Sequence, residues 1–176
     1  FMAVTKTLMK GIAEQELEPS DILARVNVEL CQGNDSSMFV TLFCGILNLK
    51  TGVLRYSNAG HNPPLLLRVG QNPEWLALPP GLVLGGMEEA MFQTRQIKLS
   101  PGDSLLAFTD GVTEAMNAAQ DLYSEDRLLR ETTVRATAGP KELVAEILET
   151  VHGFADGTPQ SDDITLLSVL YVGDRG

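Results

Sequence analysis

The sequence is poor in cysteine, and its two cysteines lack the surroundings that make a thiol reactive. Cys31 and Cys44 are the only cysteines among 176 residues. They do not form a Cys-x-x-Cys pair, and neither has an Arg six residues further on, as a phosphate-cradling thiol loop requires. The loop of a thiol phosphatase is therefore excluded. We predict that both are small, buried, hydrophobic residues in a reducing, cytoplasmic compartment.

Positive charge and long apolar runs are also scarce. The chain has 13 Lys and Arg against 23 Asp and Glu, which gives a net charge of -10. Because such a chain is repelled by phosphate backbones and anionic lipid head groups, nucleic acids and membranes are excluded as partners. No apolar run approaches the length of a membrane-spanning helix, and no secretory signal opens the sequence. The composition is otherwise that of an ordinary globular domain.

Hydrophobic periodicity predicts helices, then strands, then helices again. Apolar residues recur at helical spacing over residues 1–12 and, after Pro19, over 22–30. A nearly continuous apolar run at 38–49 predicts a strand that is buried on both faces. The remaining predicted elements are strands at 53–58, 65–69, 74–78, 91–99 and 104–109, helices around Leu128 and over 140–151, and a last strand at 164–172. This order predicts one α+β domain with antiparallel strands.

Acidic residues flank two of the predicted strands. Asp110 directly follows the strand at 104–109, and Asp162 and Asp163 directly precede the last strand. If these strands are antiparallel neighbours, the carboxylates converge at one end of the pair. Clustered carboxylates without histidine suit Mg²⁺ or Mn²⁺, and like charges this close need a cation between them. The alternative is structural, with Asp110 in a turn and Asp162 capping a strand.

Two further segments border a possible site. His61 lies just after the strand at 53–58, among turn-forming residues. Its imidazole either contacts a substrate phosphate or a metal-bound water, or packs at the surface. The Gly- and Pro-rich stretch at 79–90 either borders a site or is a solvated hairpin connection.

Several other catalytic templates are missing from the sequence. It contains no Gly-x-x-x-x-Gly-Lys-Ser/Thr loop, no Gly-x-Ser-x-Gly elbow and no His-Glu-x-x-His pair. The segment around Asp110 is similar to that of the haloacid dehalogenase phosphatases, but Phe108 occupies the position of their nucleophilic Asp. A covalent aspartyl-phosphate route is therefore excluded at this position.

Five segments in a fixed order carry a family resemblance. They are Phe-Met-Ala-Val-Thr at 1–5, Met-Phe-Val-Thr-Leu-Phe at 38–43, Tyr-Ser-Asn-Ala-Gly-His-Asn-Pro-Pro at 56–64, Phe-Thr-Asp-Gly-Val-Thr-Glu-Ala at 108–115 and Ser-Asp-Asp-Ile-Thr at 161–165. Together they resemble the SpoIIE-like bacterial branch of the PPM (protein phosphatase 2C-like) metal-dependent serine/threonine protein phosphatases. The resemblance covers essentially the whole chain, so we interpret residues 1–176 as one such domain.

The resemblance implies a fold and a metal centre. The fold is an α-β-β-α sandwich of two antiparallel sheets flanked by helices, with a dinuclear Mn²⁺ or Mg²⁺ centre at one end. By resemblance, Asp110 and Asp162 are the catalytic metal ligands, and Asp163 is a further ligand. A metal-activated water then attacks phosphoserine or phosphothreonine, and no phosphoenzyme forms.

The resemblance also implies which residues face the substrate. Gly111 keeps the backbone close to the site, and the strand-end residues Asn58 and His61 line the cleft. The family's substrate is a phosphorylated anti-sigma-factor antagonist of the STAS type, which implies a role in signal transduction and sigma-factor regulation. Its phosphatase domains usually follow a sensor or receiver domain in the same chain.

The sequence departs from the family pattern at its start and in one loop. The family's upstream Gly-Asp-x-x-Asp motif and its Asp-Val-x-Gly-His/Lys-Gly segment do not occur in it, and Phe1 lies inside an apolar periodic run. We therefore expect an N-terminally truncated domain that lacks some strands and some metal ligands. The family's Gly-Leu-Pro-Leu-Gly loop is altered to Gly-Leu-Val-Leu-Gly at 81–85.

Two other functions remain open from the sequence. Without the upstream acidic motif, the chain could be a catalytically inactive phosphatase-like module that binds a signalling partner. It could also form a homodimer in which the helix that begins at Phe1 packs against a second chain.

Overall fold

The fold consists of two units, each with its own sheet, helices and apolar core. The computed structural model describes residues 1–15 and 17–174, so the last two residues of the predicted domain lie outside the described residues. The first unit comprises Phe1–His61 and Ala77–Lys98. The second unit comprises Asn62–Leu76 and the chain from Leu99 onward.

The elements follow the predicted order of helices, strands, helices and a final strand. In chain order they are α1 (Met2–Ala13), α2 (Pro19–Cys31), β1 (Leu42–Leu47), β2 (Val53–Ala59), β3 (Leu65–Leu67), β4 (Glu74–Trp75), β5 (Arg95–Lys98), β6 (Ser104–Phe108), α3 (Asp110–Thr113), α4 (Glu125–Val134), α5 (Pro140–Ala155) and β7 (Leu166–Leu170). The strand order is β1-β2-β5 in the first unit and β4-β3-β6-β7 in the second. Every strand pair in the described chain is antiparallel, as predicted.

The first unit buries the apolar side of α2 against its sheet. Pro19 stands in the first turn of α2. Main-chain N–H groups in this turn have no partner within the helix, so proline, which lacks an N–H, costs no hydrogen bond there. Ile22 and Val26 are fully buried and belong to one core cluster with Cys44 of β1 and Ala59 of β2. Burying a side chain of this size contributes roughly 1.5–3 kcal/mol. This core fixes the position of the end of β2.

The second unit packs its sheet against α4 and α5. Leu106 of β6 is fully buried together with Leu128 of α4 and with Leu143 and Ile147 of α5. Pro140 begins α5, as its position in the sequence predicts. The core therefore holds β6 firmly, and β6 is the strand that leads into the first predicted acidic segment.

The prediction for residues 38–49 is wrong in length and in burial. The strand in this run is only Leu42–Leu47, and Phe39 is 63% exposed. Leu42, Cys44 and Ile46 contact the core, whereas the residues between them do not belong to it. Successive side chains of a strand point to opposite faces, so only one side of β1 meets the helices.

Most of the other predicted strands are longer than the observed ones. The run at 74–78 contributes only Glu74–Trp75, which pair with Leu66 and Leu65. The apolar pattern predicts where a strand can form, but the partner strand decides how many of these residues form inter-strand hydrogen bonds. The sequence analysis also missed the single helical turn Asp110–Thr113, which lies where a turn was one alternative.

The two cysteines differ in burial. Cys44 is buried as predicted, but Cys31 is only partly buried, and the prediction for it is wrong. Cys31 is the last residue of α2, and unlike its neighbour Leu30 it does not belong to the core cluster that contains Ile22 and Val26. Separately, no helix in the described part of the chain is long and apolar enough to cross a membrane.

We predict that the two thiols differ in reactivity and that one of them makes stability depend on pH. Burial raises the pKa of Cys44 from its ordinary value of 9.0 to about 11. Because the unfolded thiol ionises first, the free energy of unfolding should fall as pH rises from 9 to about 11, and Cys44→Ala should reduce this fall. Urea unfolding at several pH values measures both.

Thiol labelling of the folded protein at pH 8 provides the companion measurement. Cys31 should react first, although burial and the nearby carboxylates of Glu88 and Glu89 raise its pKa and slow the reaction. Cys44 should react only when the protein unfolds. Equal labelling rates in the folded protein would contradict the position of Cys44 in the core.

Candidate active site

The pairing of β6 with β7 brings the acidic segments of the second unit together. The register places Phe108, the last residue of β6, opposite Leu166, the first residue of β7. Asp110 follows β6 by two residues, and Asp162 and Asp163 lie just before β7. The predicted antiparallel neighbourhood of these two strands is therefore confirmed, and the acidic segments lie at the same end of the pair.

Thr109 ties the two strand ends together. Its N–H donates to the carbonyl oxygen of Thr165 at 3.1 Å, which extends the ladder beyond the strands. Its hydroxyl donates to the carbonyl oxygen of Asp163 at 2.7 Å and accepts from the N–H of Thr165 at 2.9 Å. Three hydrogen bonds from one residue thus fix the main chain that carries the acidic side chains.

Gly111 lies in direct contact with the segment before β7. A Cβ at this position would stand 2.5 Å from the carbonyl oxygen of Asp163 and 3.0 Å from that of Asp162. Since these are main-chain atoms, no side-chain rotation could relieve the clash. Only glycine allows the turn after β6 to approach the acidic segment this closely. The role of Gly111 at a substrate site stays a prediction.

The carboxylates of Asp110 and Asp162 are exposed, and in the described part of the chain each accepts a hydrogen bond from a main-chain N–H next to it. Oδ1 of Asp110 accepts from the N–H of Gly111 at 3.0 Å, and Oδ1 of Asp162 accepts from the N–H of Asp163 at 2.6 Å. The side-chain amide of Gln160 donates to the carbonyl oxygen of Asp162 at 2.6 Å. Each carboxylate is therefore oriented by one local bond, and both lie at the surface.

The donor atoms fit a hard divalent cation, but their number falls short of a full centre. Carboxylate oxygens, as supplied by Asp110 and Asp162, are the ligands that Mg²⁺ and Mn²⁺ prefer. Among residues 1–15 and 17–174, no group of three or more His, Cys, Asp or Glu side chains is placed to hold a metal ion. Metal binding by Asp110 and Asp162 therefore stays a prediction.

Asn58 and His61 lie at the carboxyl end of β2 in the first unit. Asn58 is 6% exposed, and its Oδ1 makes no hydrogen bond within the described chain. His61 is partly buried, and its Nδ1 lies 3.1 Å from Oγ1 of Thr41, a contact that orients the imidazole ring. Their predicted contact with substrate stays a prediction.

The loop at 79–90 is packed onto this strand end. A Cβ on Gly81 would stand 1.8 Å from the carbonyl oxygen of Asn58, so the loop and the strand touch through their main chains. The fully buried Asn27 of α2 accepts from the N–H of Gly85 at 2.9 Å and donates to the carbonyl oxygen of Met87 at 2.8 Å. The loop is therefore held in place and is not a loose, solvated connection.

The sequence analysis missed the residues that hold these segments in position. Three of them, Thr109, Thr165 and Gln160, lie inside or beside the acidic segments. The sequence does not show which group a hydroxyl or an amide in a turn will hydrogen-bond to. Asn27 did give a signal, because it interrupts the apolar side of α2 between Leu23 and Leu30. A polar residue at such a position needs buried hydrogen-bond partners.

Comparison with known families identifies the chain. The family model described as stage II sporulation protein E (SpoIIE) matches residues 1–171. The chain belongs to the SpoIIE family. The resemblance stated from the five sequence segments is therefore confirmed over nearly the whole length.

Individual relatives agree with this assignment. The chain is 29% identical over 168 residues to the phosphoserine phosphatase RsbU of Bacillus subtilis, covering 94% of this chain and 49% of RsbU. It is 22% identical to the structure of the RsbU and RsbW domains of Rv1364c from Mycobacterium tuberculosis, with a TM-score of 0.78, covering 98% of this chain and 48% of that one. The chain thus spans about half the length of these relatives.

The solved structures also confirm the fold class. The PP2C domain of SiaA from Pseudomonas aeruginosa superimposes with a TM-score of 0.84 at 16% identity, covering 96% of this chain and 68% of that domain. The chain therefore has an α+β fold with two antiparallel sheets and helices, as PP2C-type domains have.

We predict that Gly111→Ala destabilises the second unit. Its Cβ would force the Asp162–Asp163 main chain away from the turn after β6, at a cost of roughly 1–3 kcal/mol. Urea unfolding measures the loss. Hydrogen exchange at the Thr165 amide should also become faster, because the displaced segment loosens its hydrogen bond to Thr109.

Gly153→Ala is the matched control for this substitution. Gly153 lies within α5, and a Cβ there would meet nothing within 4 Å. It should stabilise the protein by about 0.5–1 kcal/mol, since alanine favours helix more than glycine does. If Gly111→Ala were as stable as the original protein, this result would contradict the close contact at Gly111.

Proposed function

We propose that this chain is the catalytic domain of a metal-dependent phosphoprotein phosphatase that hydrolyses phosphoserine and phosphothreonine. The observation that carries the proposal is the placement of Asp110 and Asp162 at one end of the β6–β7 pair, on main chain held by Thr109 and Gly111. Carboxylates fixed by backbone contacts can bind a cation without first reorganising. The relationship to RsbU, a phosphoserine phosphatase, supports the same chemistry.

The hydrogen bonding of another acidic residue in the same unit shows what distinguishes Asp110. Asp103 is 3% exposed, and its carboxylate accepts hydrogen bonds from Arg68 and from the N–H groups of Val69 and Ser100. This carboxylate is satisfied within the fold and stabilises a turn. Within residues 1–15 and 17–174, the Asp110 carboxylate accepts one local hydrogen bond and stays exposed, which leaves oxygen lone pairs for a ligand.

In the proposed site, Asp110 and Asp162 would hold the metal ions, and Asp163 would be a further ligand. Divalent cations bound there would activate water for attack on phosphorus and neutralise charge on the phosphoryl oxygens. The residues of this chain would position the substrate and the carboxylates, and no side chain would carry the phosphoryl group. Because Asp110 and Asp162 are too few for a dinuclear centre, the proposal includes carboxylate ligands from outside these 176 residues.

Asn58 and His61 are the residues that we propose for substrate contact. The contact with Thr41 orients the imidazole of His61. The packing of Gly81 on the main chain of Asn58 keeps this strand end rigid. Rigid placement matters because a small displacement of a positioning group lowers the rate strongly.

The substrate that we propose is a phosphorylated regulatory protein, namely an anti-sigma-factor antagonist of the STAS type. The Rv1364c structure combines an RsbU domain with an RsbW domain, which supports a role among interacting regulatory domains. The relatives are about twice as long as this chain, which supports a further domain, such as a sensor or receiver, in the complete protein.

One observation favours a second function, a phosphatase-like module that binds a signalling partner without turnover. Within the described chain, no three candidate ligands are grouped to hold a metal ion. This module would still present the acidic segments of the second unit to a phosphorylated partner. Metal-independent binding with no release of phosphate would identify it.

We predict that Asp110→Asn abolishes Mn²⁺-dependent phosphate release from a phosphoserine protein. Loss of one charged ligand should lower activity at least roughly 100-fold, because neighbouring changes at metal sites already cost 10–100-fold. The assay is a Mn²⁺ titration with reversal by chelator, on the 176-residue chain and on the full-length protein. If only the longer protein is active, the missing ligands come from the additional residues.

Asp126→Asn serves as the charge-matched control. Asp126 is an exposed residue in the first turn of α4, away from the acidic segments in sequence. Its removal should leave phosphate release unchanged. Undiminished turnover in Asp110→Asn would exclude the proposed role of that residue, and no turnover in the full-length protein would favour the binding module.

A further inference from the structure

A cavity of about 240 Å³ opens in the second unit beside the acidic segments. Its wall includes Gly111 and Ser161, the chain neighbours of Asp110 and Asp162. Successive Cα atoms are about 3.8 Å apart, so the Cα atoms of these two lining residues lie about that far from those of Asp110 and Asp162. The cavity and the candidate active site therefore share their walls.

The chemistry of the wall favours an apolar occupant. Met116, Val151, Ala155 and Ile164 are among its apolar lining residues, the uncharged polar side chains of Thr158, Gln160 and Ser161 also line it, and none of the described lining residues is Asp, Glu, Lys or Arg. The one titratable group in the wall is the imidazole of His152. A charged side chain would lose hydration in this cavity without gaining an ionic partner, whereas an apolar side chain gains by leaving water.

The cavity is formed before any ligand binds, because the end of α5 holds its outer wall. Asp156 donates its N–H to the carbonyl oxygen of His152 at 3.0 Å, and Thr158 donates to that of Ala155 at 2.9 Å. Asp156 and Gly157 both have positive φ angles, +41° and +78°, which turn the chain sharply back along the helix end. A fixed wall lowers the entropy cost of binding.

The size of the cavity limits what it can hold. Pockets for drug-sized ligands and cofactors generally measure about 300–1,000 Å³. At about 240 Å³ this cavity is smaller and suits a single side chain. Side chains that anchor a protein partner typically fill such pockets near the centre of a contact surface.

We propose that this cavity is a specificity subsite that binds one apolar side chain of the phosphoprotein substrate, from a residue close to the phosphorylated serine or threonine. The proposal rests on the proposed phosphatase function. The carboxylates and their metal ions would recognise the phosphoryl group, which all substrates share. They therefore cannot select among phosphoproteins by neighbouring side chains. The cavity would select substrates by the residues beside that group.

The test compares two phosphoserine peptides that are identical except for two residues on each side of the phosphoserine, Leu in one and Ala in the other. The full-length protein is assayed with Mn²⁺, and p-nitrophenyl phosphate serves as a substrate without side chains. The Leu peptide should have a kcat/KM roughly tenfold or more above that of the Ala peptide, since one apolar pocket discriminates by about this much.

Two variants alter the cavity in opposite ways. Ala155→Leu fills it and should bring the ratio of the two kcat/KM values close to one. Met116→Ala, at a side chain that is 41% exposed, removes apolar wall and should lower the ratio as well. Val134→Ala is the matched control, because this side chain is 80% exposed at the end of α4 and does not line the cavity. It should keep the original ratio.

The outcomes separate the subsite from the phosphatase function. If the original protein hydrolyses both peptides equally, or if the preference for Leu survives in both cavity variants, the subsite is excluded while the phosphatase stands. If the protein hydrolyses neither peptide nor p-nitrophenyl phosphate, the phosphatase function fails and the subsite with it. Turnover of p-nitrophenyl phosphate by each variant shows that the variant is folded.

Discussion

The contact between Gly111 and the main chain of Asp162 and Asp163 is the constraint on which the candidate site depends. Two segments more than fifty residues apart in sequence approach until a single Cβ would collide with a carbonyl oxygen. This approach requires the β6–β7 register, the hydrogen bonds of Thr109 and the core beneath them. The position of the exposed carboxylates is thus decided by buried and main-chain interactions.

In the first unit, the end of β2 is held by the same two kinds of contact, a close approach at a glycine and hydrogen bonds from a polar side chain. Gly81 lets a loop lie on the main chain of Asn58, and the buried Asn27 satisfies the loop's polar groups at Gly85 and Met87. A buried amide that lost these partners would be costly, so the loop and α2 stabilise each other. In both units a glycine allows close approach, and a short polar side chain fixes the approaching segment.

Much of the fold could be predicted from the sequence, because helices and strands leave a periodic apolar pattern. Pro19 and Pro140 begin helices where predicted, and the placement of the acidic residues beside antiparallel strands was inferred from their position alone. The prediction failed where a neighbour decides the outcome. The run at 38–49 is almost continuously apolar, yet only one side of β1 meets the core. Cys31 is apolar in character, yet it is only partly buried at the last position of α2, next to the core residue Leu30.

The sequence by itself determined the kinds of side chain available for chemistry, the family and the order of the elements, because residue identity and periodicity are local properties. It also determined that the proposed ligands Asp110 and Asp162 supply oxygen atoms alone, which is the donor type that Mg²⁺ and Mn²⁺ prefer. Only the tertiary structure decided which segments touch Gly111 and Gly81, which hydroxyl joins β6 to β7, and where the cavity beside the acidic segments opens. These features arise from contacts between residues distant in the chain, and no local pattern of residues records them.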